Sequence, residues 1–366
     1  MMENRTEDRE VLLRVEHLCQ YFRLGKFAVN KAVNKAVDDV SFDIRKGEVF
    51  GLVGESGCGK TTTGRAIIKL YDITSGNVYF KGQRISAGTN SYREAITAAR
   101  KELKSCTDEA RKAELEKTIA DNKAKIKDAR LCNKNVDRKL VNEIQMIFQD
   151  PIASLDPRMT VRDIIAEGLI IKGIKDKQYI DNKVFEMLET VGLVREHASR
   201  YPHEFSGGQR QRIGVARAVI MEPSLIIADE PISALDVSIR AQIMNLLNDL
   251  REKMGLTIMF IAHDLSVVKY FSDRIGVMYY GHMVELADSE ELFRHPLHPY
   301  TRSLLSAIPQ PDPNYERTRK RIVYNPVADH DYRNSTPTFR EVCPGHFVLC
   351  DDAEFEKYSK IVSEQA

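Results

Sequence analysis

The sequence predicts an α/β fold built around a largely parallel β-sheet. Short, almost wholly apolar runs of strand length recur along the chain, and longer segments with helical periodicity separate them. The clearest apolar runs end at Val53, Gln149, Asp229 and His263. Strands that alternate with helices in this way are typical of a parallel sheet covered by helices.

The composition excludes several classes of protein. Of the 366 residues, 43% are hydrophobic and 29% are charged, and 54 basic residues nearly balance 53 acidic ones. This balance provides no global field that would steer the chain onto nucleic acid, so we expect no nucleic-acid partner. No apolar run is long enough to span a bilayer, and the charged N-terminus lacks the core of a signal peptide. We therefore expect the protein to stay in the cytosol, and since six scattered cysteines do not form a disulfide framework, we expect their thiols to be reduced.

Two regions flank or interrupt this pattern. Two runs within residues 11–44 alternate apolar and polar side chains, which predicts strands ahead of the first buried one. Residues 92–130 contain neither Gly nor Pro, and 19 of these 39 residues are charged. They predict a solvated helix or a helical hairpin that turns near 105–108, with Thr107 capping the second helix. Its thin apolar seam is predicted to comprise Ile96, Ala99, Leu103, Cys106, Ala110 and Ala113.

A glycine-rich segment after Val53 predicts a phosphate-binding loop. It fits the pattern G-x-x-x-x-G-K-T, with a strand before it and a helical pattern after it. Glycines let backbone N–H groups turn toward phosphate oxygens, and Lys60 adds a positive charge. Thr61 offers a hydroxyl oxygen to Mg²⁺. The predicted ATP-binding residues of this loop are Gly54, Glu55, Ser56, Gly57, Cys58, Gly59, Lys60, Thr61 and Thr62.

A pair of acids follows a second buried strand. Asp229 ends that strand and offers the hard oxygen ligand that Mg²⁺ prefers. Glu230 is placed to polarise a water for attack on the terminal phosphate of ATP. A third motif, Phe205-Ser-Gly-Gly-Gln, puts two glycines at the start of a helix, where anions bind.

Together these motifs resemble the ATP-binding-cassette (ABC) ATPases. The resemblance implies a nucleotide-binding domain with a parallel-sheet core, an antiparallel β-subdomain and a helical subdomain. It also implies that Phe22 stacks on adenine, that Gln149 and His263 join Glu230 in catalysis, and that Thr61, Gln149 and Asp229 hold Mg²⁺. Taken alone, Phe22 also fits a core aromatic and His263 a surface histidine. The implied D-loop is Ser233, Ala234, Leu235 and Asp236, and the implied signature motif, which acts on ATP bound by a partner subunit, is Ser206, Gly207, Gly208 and Gln209.

Three longer runs are similar to the ATPase subunits of bacterial oligopeptide and dipeptide importers. They span residues 144–161, 201–218 and 295–309, and the last of them lies outside the expected nucleotide site. The resemblance implies an ATPase domain at 11–295, with the helical insert at about 92–130, and a small C-terminal extension at 296–366. It implies a heterodimer with a second, related ATPase beneath two permease subunits, served by an extracytoplasmic peptide-binding protein. The chain would then act as a peripheral protein on the cytoplasmic face of a bacterial cell membrane.

Other functions stay open at this point. The chain could be a soluble ABC ATPase of DNA repair or translation, or an importer ATPase for nickel or glutathione. A regulatory subunit that binds ATP without hydrolysing it is less favoured, because Glu230 and His263 are intact. Some relatives carry enough cysteines near Cys343 and Cys350 for an iron–sulfur cluster, which needs about four thiolates. This chain has two there, so we expect inert thiols and no cluster.

Overall fold

The computed structural model describes residues 9–23, 33–308, 321–330, 332 and 335–365. Residues 1–8, used above for the N-terminal prediction, and Pro309, where the importer-like run ends, lie outside them. The predicted α/β class is confirmed. The strands are β1 (Val11–Arg23), β2 (Val33–Arg45), β3 (Val49–Val53), β4 (Ser75–Phe80), β5 (Gln83–Ala87), β6 (Ile144–Ile147), β7 (Leu225–Asp229), β8 (Thr257–Ala262), β9 (Arg274–Tyr279), β10 (His282–Asp288), β11 (Thr338–Cys343) and β12 (His346–Cys350).

Helices follow most of the strands along the chain. They are α1 (Lys60–Ile67), α2 (Asn90–Ser105), α3 (Glu109–Lys134), α4 (Arg138–Val141), α5 (Pro151–Ser154), α6 (Val161–Ile171), α7 (Lys177–Thr190), α8 (Gly207–Val219), α9 (Val237–Met254), α10 (Leu265–Phe271), α11 (Ser289–Arg294), α12 (Pro299–Ser306), α13 (Pro326–Asp329) and α14 (Asp352–Gln365). Among these helices, none combines the length and the apolar character needed to cross a membrane.

The chain divides into two compact units. The small unit is formed from described residues within 1–45, 57–141 and 280–282, and the large unit from those within 46–56, 142–279 and 283–366. The large unit contains an eight-stranded mixed sheet in the order β11-β12-β10-β9-β3-β8-β7-β6. The small unit contains a four-stranded antiparallel sheet in the order β2-β1-β4-β5.

The central strands of the large sheet are parallel and deeply buried. β3 pairs in parallel with β8 and β9, and β7 pairs in parallel with β6 and β8. Every residue of β3, β7 and β8 is buried. Strands covered on both faces form continuous apolar runs rather than alternating ones, which is why the sequence marked them so clearly. The strands predicted to end near Val53, Gln149, Asp229 and His263 are confirmed.

Residues 90–134 form a helical hairpin made of α2 and α3. The second helix is capped by Asp108, whose carboxylate accepts a hydrogen bond from the backbone N–H of Ala110 at 3.0 Å. The expectation that Thr107 is the cap was therefore wrong. The expected seam holds in α2, where Ile96 and Ala99 are buried, but Ala110 and Ala113 are exposed. The turn breaks the helical phase, so α3 buries a different set of side chains, Leu115 and Ala129.

The end of α3 fastens the hairpin to the edge strand β5. Asn133 exchanges two hydrogen bonds with the backbone of Ala87, one at 3.0 Å and one at 2.8 Å. The Cys132 thiol donates to the carbonyl of Arg84 at 3.1 Å, and the Arg84 guanidinium pairs with Asp128. Two of these anchoring residues, Cys132 and Asn133, lie beyond residue 130.

The C-terminal residues extend the main sheet, although their periodicity in the sequence is weak. β12 pairs antiparallel with β10, and β11 pairs antiparallel with β12. The two short strands are joined by a turn at Pro344 and Gly345, where Gly345 has a φ of 77°. A backbone torsion of this kind favours glycine.

We predict that replacing residues 92–130 with a short Gly/Ser linker leaves the ATPase activity that the resemblance implies within about threefold of wild type in the assembled complex, about 0.7 kcal/mol in the barrier. The hairpin buries few side chains, and the anchors at Cys132 and Asn133 remain. Thermal unfolding of the variant verifies that it folds, and steady-state ATP hydrolysis gives the result. Loss of turnover in a folded, assembled variant would show that the hairpin is part of the working machinery.

Candidate functional site

Four predicted site segments leave the large sheet at one edge. β3, β8, β7 and β6 are adjacent and parallel, so their carboxyl ends lie side by side. Gly54 follows β3, His263 follows β8, Asp229 ends β7, and Gln149 comes two residues after β6. Open α/β sheets bind their ligands at this edge. The topology therefore places these residues where the sequence predicted a nucleotide site.

One carboxylate oxygen of Glu230 links the three predicted catalytic side chains. Oε2 of Glu230 accepts a hydrogen bond from Nε2 of Gln149 at 3.1 Å. The same oxygen lies 3.1 Å from Nδ1 of His263, which donates when that nitrogen carries the proton. The Glu230 side chain is 12% exposed and that of His263 is 54% exposed. The Glu230 carboxylate is thus held between the Gln149 and His263 side chains at the carboxyl edge of the sheet. Asp229, the preceding residue, is fully buried.

The backbone of Glu230 has an unusual conformation that its neighbours support. Its φ is 43°, in the left-handed region that non-glycine residues rarely adopt. The backbone N–H of Glu230 donates to the carbonyl of Ile261 in β8 at 3.0 Å. The hydroxyl of Ser233 donates to the carbonyl of Glu230 at 3.1 Å. Such strain persists only where the surroundings hold it, and it is concentrated at functional sites.

The implied D-loop is held by an arginine that the sequence analysis did not single out. Nε of Arg240 donates to the carbonyl of Leu235 at 2.7 Å, and Nη2 to the carbonyl of Ser233 at 3.5 Å. Leu235 is buried, whereas Ala234 and Asp236 are exposed. The segment therefore has a hydrogen-bonded backbone, and its Ala234 and Asp236 side chains face solvent.

The predicted phosphate loop has the backbone that its glycines suggest. Gly54, Gly57 and Gly59 have φ values of 150°, 84° and 108°. Gly59 is the N-cap of α1, so Lys60 begins that helix. Lys60 is 4% exposed. Burial raises the pKa of the Cys58 thiol, which therefore stays protonated near neutral pH. A loop that needs left-handed torsions at successive glycines is suited to turning its N–H groups toward phosphate oxygens.

The phosphate loop is supported by Tyr300, a residue of the C-terminal extension. The sequence did not predict this contact. The backbone N–H of Glu55 donates to the hydroxyl of Tyr300 at 3.0 Å, and Tyr300 is 1% exposed. Tyr300 lies at the start of α12, where Nδ1 of His298 accepts a hydrogen bond from the Tyr300 backbone N–H at 3.1 Å. Burial lowers the pKa of His298 to about 3, so the imidazole stays neutral and can accept this bond. The expectation that the run 295–309 lies outside the nucleotide site was wrong in this respect, since sequence alone does not show where a distant hydroxyl points.

The implied signature motif forms the start of α8. Ser206 is its N-cap: the hydroxyl of Ser206 accepts from the backbone N–H of Gln209 at 3.3 Å, and Oε1 of Gln209 accepts from the backbone N–H of Ser206 at 3.0 Å. This reciprocal pair is a capping box. Ser206 and Gly207 are exposed. A helix start with exposed N–H groups and its own cap already satisfied can receive an anion from another molecule.

The two glycines of this motif differ in the space around them. A Cβ added at Gly207 would lie 3.7 Å from Leu235 Cδ2, an ordinary contact, whereas one added at Gly208 would lie 2.6 Å from Ile239 Cγ2. Gly208 therefore lets α8 approach α9 closely. Gly207 lies against the implied D-loop without being crowded.

Phe22, the predicted adenine-stacking residue, lies in the small unit at the end of β1. Its half-buried ring packs edge-on against Tyr71, with the ring centroids 5.3 Å apart. Cys343 and Cys350, the pair that raised the question of an iron–sulfur cluster, lie in the large unit. Cys343 pairs with His346 and Cys350 with Thr338, so the two thiols lie near opposite ends of the β11–β12 hairpin.

Comparisons with known proteins agree with this geometry. The family model described as ABC transporter matches residues 37–142 and 112–233. A second model, for the C-terminal region of oligopeptide/dipeptide transporters, matches residues 284–348. The oligopeptide transport ATP-binding protein OppF of Bacillus subtilis is 54% identical over 96% of this chain and 99% of its own. The dipeptide transport ATP-binding protein DppF of Lactococcus lactis is 48% identical over 97% of this chain and 98% of its own.

Solved structures give the same result for the fold. A dimeric post-hydrolysis state of the ATP-binding cassette MJ0796, bound to ADP and phosphate, superposes with a TM-score of 0.56 at 25% identity. The match covers 76% of this chain and 99% of that one.

We predict that Tyr300→Phe weakens ATP binding about fivefold, because it removes a hydrogen bond of about 1 kcal/mol to the loop while keeping the buried ring. Titration of the purified chain with a fluorescent ATP analogue measures the affinity. Tyr324→Phe is the matched control: its ring packs 5.5 Å from that of Tyr300. Equal affinities for Tyr300→Phe and the wild type would show that Tyr300 does not support the loop.

Proposed function

The chain belongs to the ATP-binding subunits of ABC transporters, in the oligopeptide/dipeptide branch, and we propose that it hydrolyses ATP to drive peptide import through a membrane complex. ATP hydrolysis is the activity of this family. The observation that carries the mechanism is the Glu230 carboxylate, held by Gln149 and His263 at the carboxyl edge of the sheet.

The residues of the site fit ATP and Mg²⁺. The three left-handed glycines and the N-terminus of α1 suit a run of phosphate oxygens, and Lys60 supplies a positive charge. Thr61, Gln149 and Asp229 offer a hydroxyl, an amide and a carboxylate oxygen, the donor types that Mg²⁺ prefers. When bound, Mg²⁺ neutralises charge on the β- and γ-phosphates. Phe22, whose ring is half-buried, is proposed to stack on the adenine base.

Glu230 is proposed to act as the base toward the attacking water. Its carboxylate orients the water and accepts a proton from it as the water oxygen bonds to the γ-phosphorus. The bond from that phosphorus to the bridging oxygen breaks, and ADP leaves. Oε2 of Glu230 accepts the hydrogen bonds from both Gln149 and His263 Nδ1. Together they hold the carboxylate group in one orientation. Gln149 and His263 thereby position the base.

The site is proposed to be completed by a second subunit. Ser206 and Gly207 form an exposed helix start, and this is the surface on which a partner's nucleotide would bind. The MJ0796 cassette is dimeric in the structure that this chain resembles. We propose a heterodimer with a related ATPase, in which each signature motif acts on the ATP held by the other phosphate loop. Closing and reopening of this dimer would be a population shift driven by ATP binding and hydrolysis.

Membrane permease partners follow from membership of the transporter family. The helical segment after Gln149 exposes three apolar side chains suited to contact with a permease: Ile152 is 64% exposed, Ile170 51% and Ile171 75%. We propose two permease subunits, a peptide-binding protein outside the cell, and a peripheral position for this chain on the cytoplasmic face of the membrane. Cys343 at the end of β11 and Cys350 at the end of β12 are too far apart to ligate one iron–sulfur cluster together. This separation supports the proposal that the chain carries no such cluster.

The cargo is tested by transport. The chain is reconstituted with its permeases and partner ATPase in vesicles, and uptake of labelled tri- and tetrapeptides is measured with ATP on the cytoplasmic side. We expect ATP-dependent peptide uptake that unlabelled peptides compete with. Uptake of nickel or glutathione in place of peptides would contradict the proposed cargo while leaving the ATPase assignment intact.

We predict that Glu230→Gln lowers steady-state hydrolysis by roughly a hundredfold or more while leaving ATP binding intact, because the general base is lost and the phosphate loop is untouched. The assay uses the assembled complex with the partner's equivalent glutamate also replaced, so that only this chain's site is read. Glu252→Gln, on an exposed position of α9, is the control and should keep wild-type turnover. Near-wild-type hydrolysis in the Glu230→Gln complex would remove Glu230 from the mechanism.

We predict that Gly207→Asp lowers hydrolysis in the complex at least about tenfold without weakening ATP binding by the isolated chain, because a carboxylate would face the partner's terminal phosphate. Gly207 is chosen because its added Cβ is accommodated, whereas one at Gly208 would collide with Ile239. Gly214→Asp, on the same helix with open space around it, is the matched control. If the isolated Gly207→Asp chain binds ATP poorly although it is folded, the proposed division of roles between subunits is wrong.

A further inference from the structure

Three side chains that can ligate a metal ion meet in the large unit, outside the nucleotide site. Glu291 comes from α11, Cys343 ends β11, and His346 begins β12. One ligand atom from each lies within 4.8 Å of the others. Glu291 and Cys343 are half-buried and His346 is fully buried. A carboxylate, a thiol and an imidazole from two separate parts of the chain thus point at a common position.

The imidazole of His346 has the orientation of a metal ligand. Its Nε2 lies 2.9 Å from Oε1 of Glu285, so a proton on Nε2 is donated to that carboxylate. Its Nδ1 is buried and makes no hydrogen bond to any described residue, and it faces Glu291 Oε1 at 3.5 Å. Metal-bound histidines are commonly arranged in this way, with the far nitrogen hydrogen-bonded to a carboxylate and the near one presenting its lone pair to the ion.

The supporting carboxylate is itself rigidly held. Glu285 is fully buried in β10. Its Oε1 accepts from the backbone N–H of Leu297 at 2.7 Å, and its Oε2 from that of His298 at 3.1 Å. These bonds fix Glu285 and, through it, the tautomer and ring orientation of His346.

The charges around this position favour a cation. Two acids, Glu285 and Glu291, flank the His346 imidazole, with carboxylate oxygens 2.9 and 3.5 Å from its two ring nitrogens. His295 lies beside the group, with its Nδ1 3.0 Å from Oε1 of Glu291. This contact orients the Glu291 carboxylate.

We propose that Glu291, Cys343 and His346 bind a divalent transition-metal ion of the Zn²⁺ class. Thiolate and imidazole ligands select such ions over Mg²⁺ and Ca²⁺, which prefer oxygen. Three protein ligands leave a fourth tetrahedral position for water. Cys350 does not take part, because four residues of extended strand separate it from His346, about 13 Å.

The ion would join two parts of the fold. Glu291 follows β10, whereas Cys343 and His346 flank the turn of the β11–β12 hairpin. A metal bound to all three clamps this hairpin to α11, so its effect is on the stability of the C-terminal strands. The proposal does not depend on the cargo or on the hydrolysis mechanism.

Cobalt(II) tests the site. The chain is treated with a chelator, kept free of nucleotide and titrated with Co²⁺ under reducing conditions. We expect one equivalent to bind with a thiolate-to-cobalt charge-transfer band and the intense visible bands of a tetrahedral site. Zn²⁺ should displace the Co²⁺ and raise the melting temperature. Cys343→Ser should abolish the charge-transfer band, and Glu291→Gln should weaken binding at least about tenfold.

Cys350→Ser and Cys106→Ser are the matched controls, since they remove a thiol from the other end of the same hairpin and a half-buried thiol elsewhere. Both should keep the spectrum and the zinc-dependent rise in melting temperature. The proposal is overturned if the wild-type chain gives no charge-transfer band. It is equally overturned if Cys343→Ser, shown to be folded by circular dichroism, binds Co²⁺ like the wild type. In either case the role of His346 would be to link Glu285 and Glu291 within the fold.

Discussion

The parallel pairing of β3, β8, β7 and β6 is the constraint on which the site depends. These strands are buried on both faces, so their register is fixed by burial of nearly every side chain. Because they are parallel and in register, the residues that follow them emerge together at one edge. Glu230, Gln149 and His263 come from three different strands and still meet at one carboxylate oxygen. A slip of one residue in any of these strands would turn its side chains to the opposite face and separate the group.

At this edge of the sheet, hydrogen bonds fix the backbone of the residues that follow β7. The left-handed backbone of Glu230 carries strain of about 1–3 kcal/mol. Its bonds to Ile261 and Ser233 hold that conformation, and Arg240 holds the carbonyls of Ser233 and Leu235 in turn. The base and the exposed D-loop therefore belong to one hydrogen-bonded segment. This segment lies against Gly207, the first helical residue of the signature motif.

The sequence predicted the parts that depend on local pattern and missed those that depend on distant side chains. The buried strands and the hairpin were predictable because each has its own periodicity. The cap at Asp108 was missed because neighbouring Thr107 and Asp108 are both good capping residues, and only the turn geometry selects one. Tyr300 reaches Glu55 across 245 positions of sequence, and no pattern encodes where that hydroxyl lies. Likewise Glu291 and His346 become neighbours only because β12 pairs with β10. The sequence Cys343-Pro-Gly-His346 was the available signal for that cluster.

The pairing of β12 with β10 also bears on how separable the carboxyl-terminal residues are. Without them, β10 would become the border of the sheet, presenting unpaired backbone groups along an apolar strand that other chains could extend. Removing residues 296–366 would also remove Tyr300, whose hydroxyl accepts a hydrogen bond from the phosphate loop. This C-terminal extension thus both protects the edge of the sheet and supports the phosphate loop. For that reason it is not an independent module that recombination could exchange freely between cassettes, whereas the exposed turn at Thr107 and Asp108 is the kind of segment that tolerates insertions.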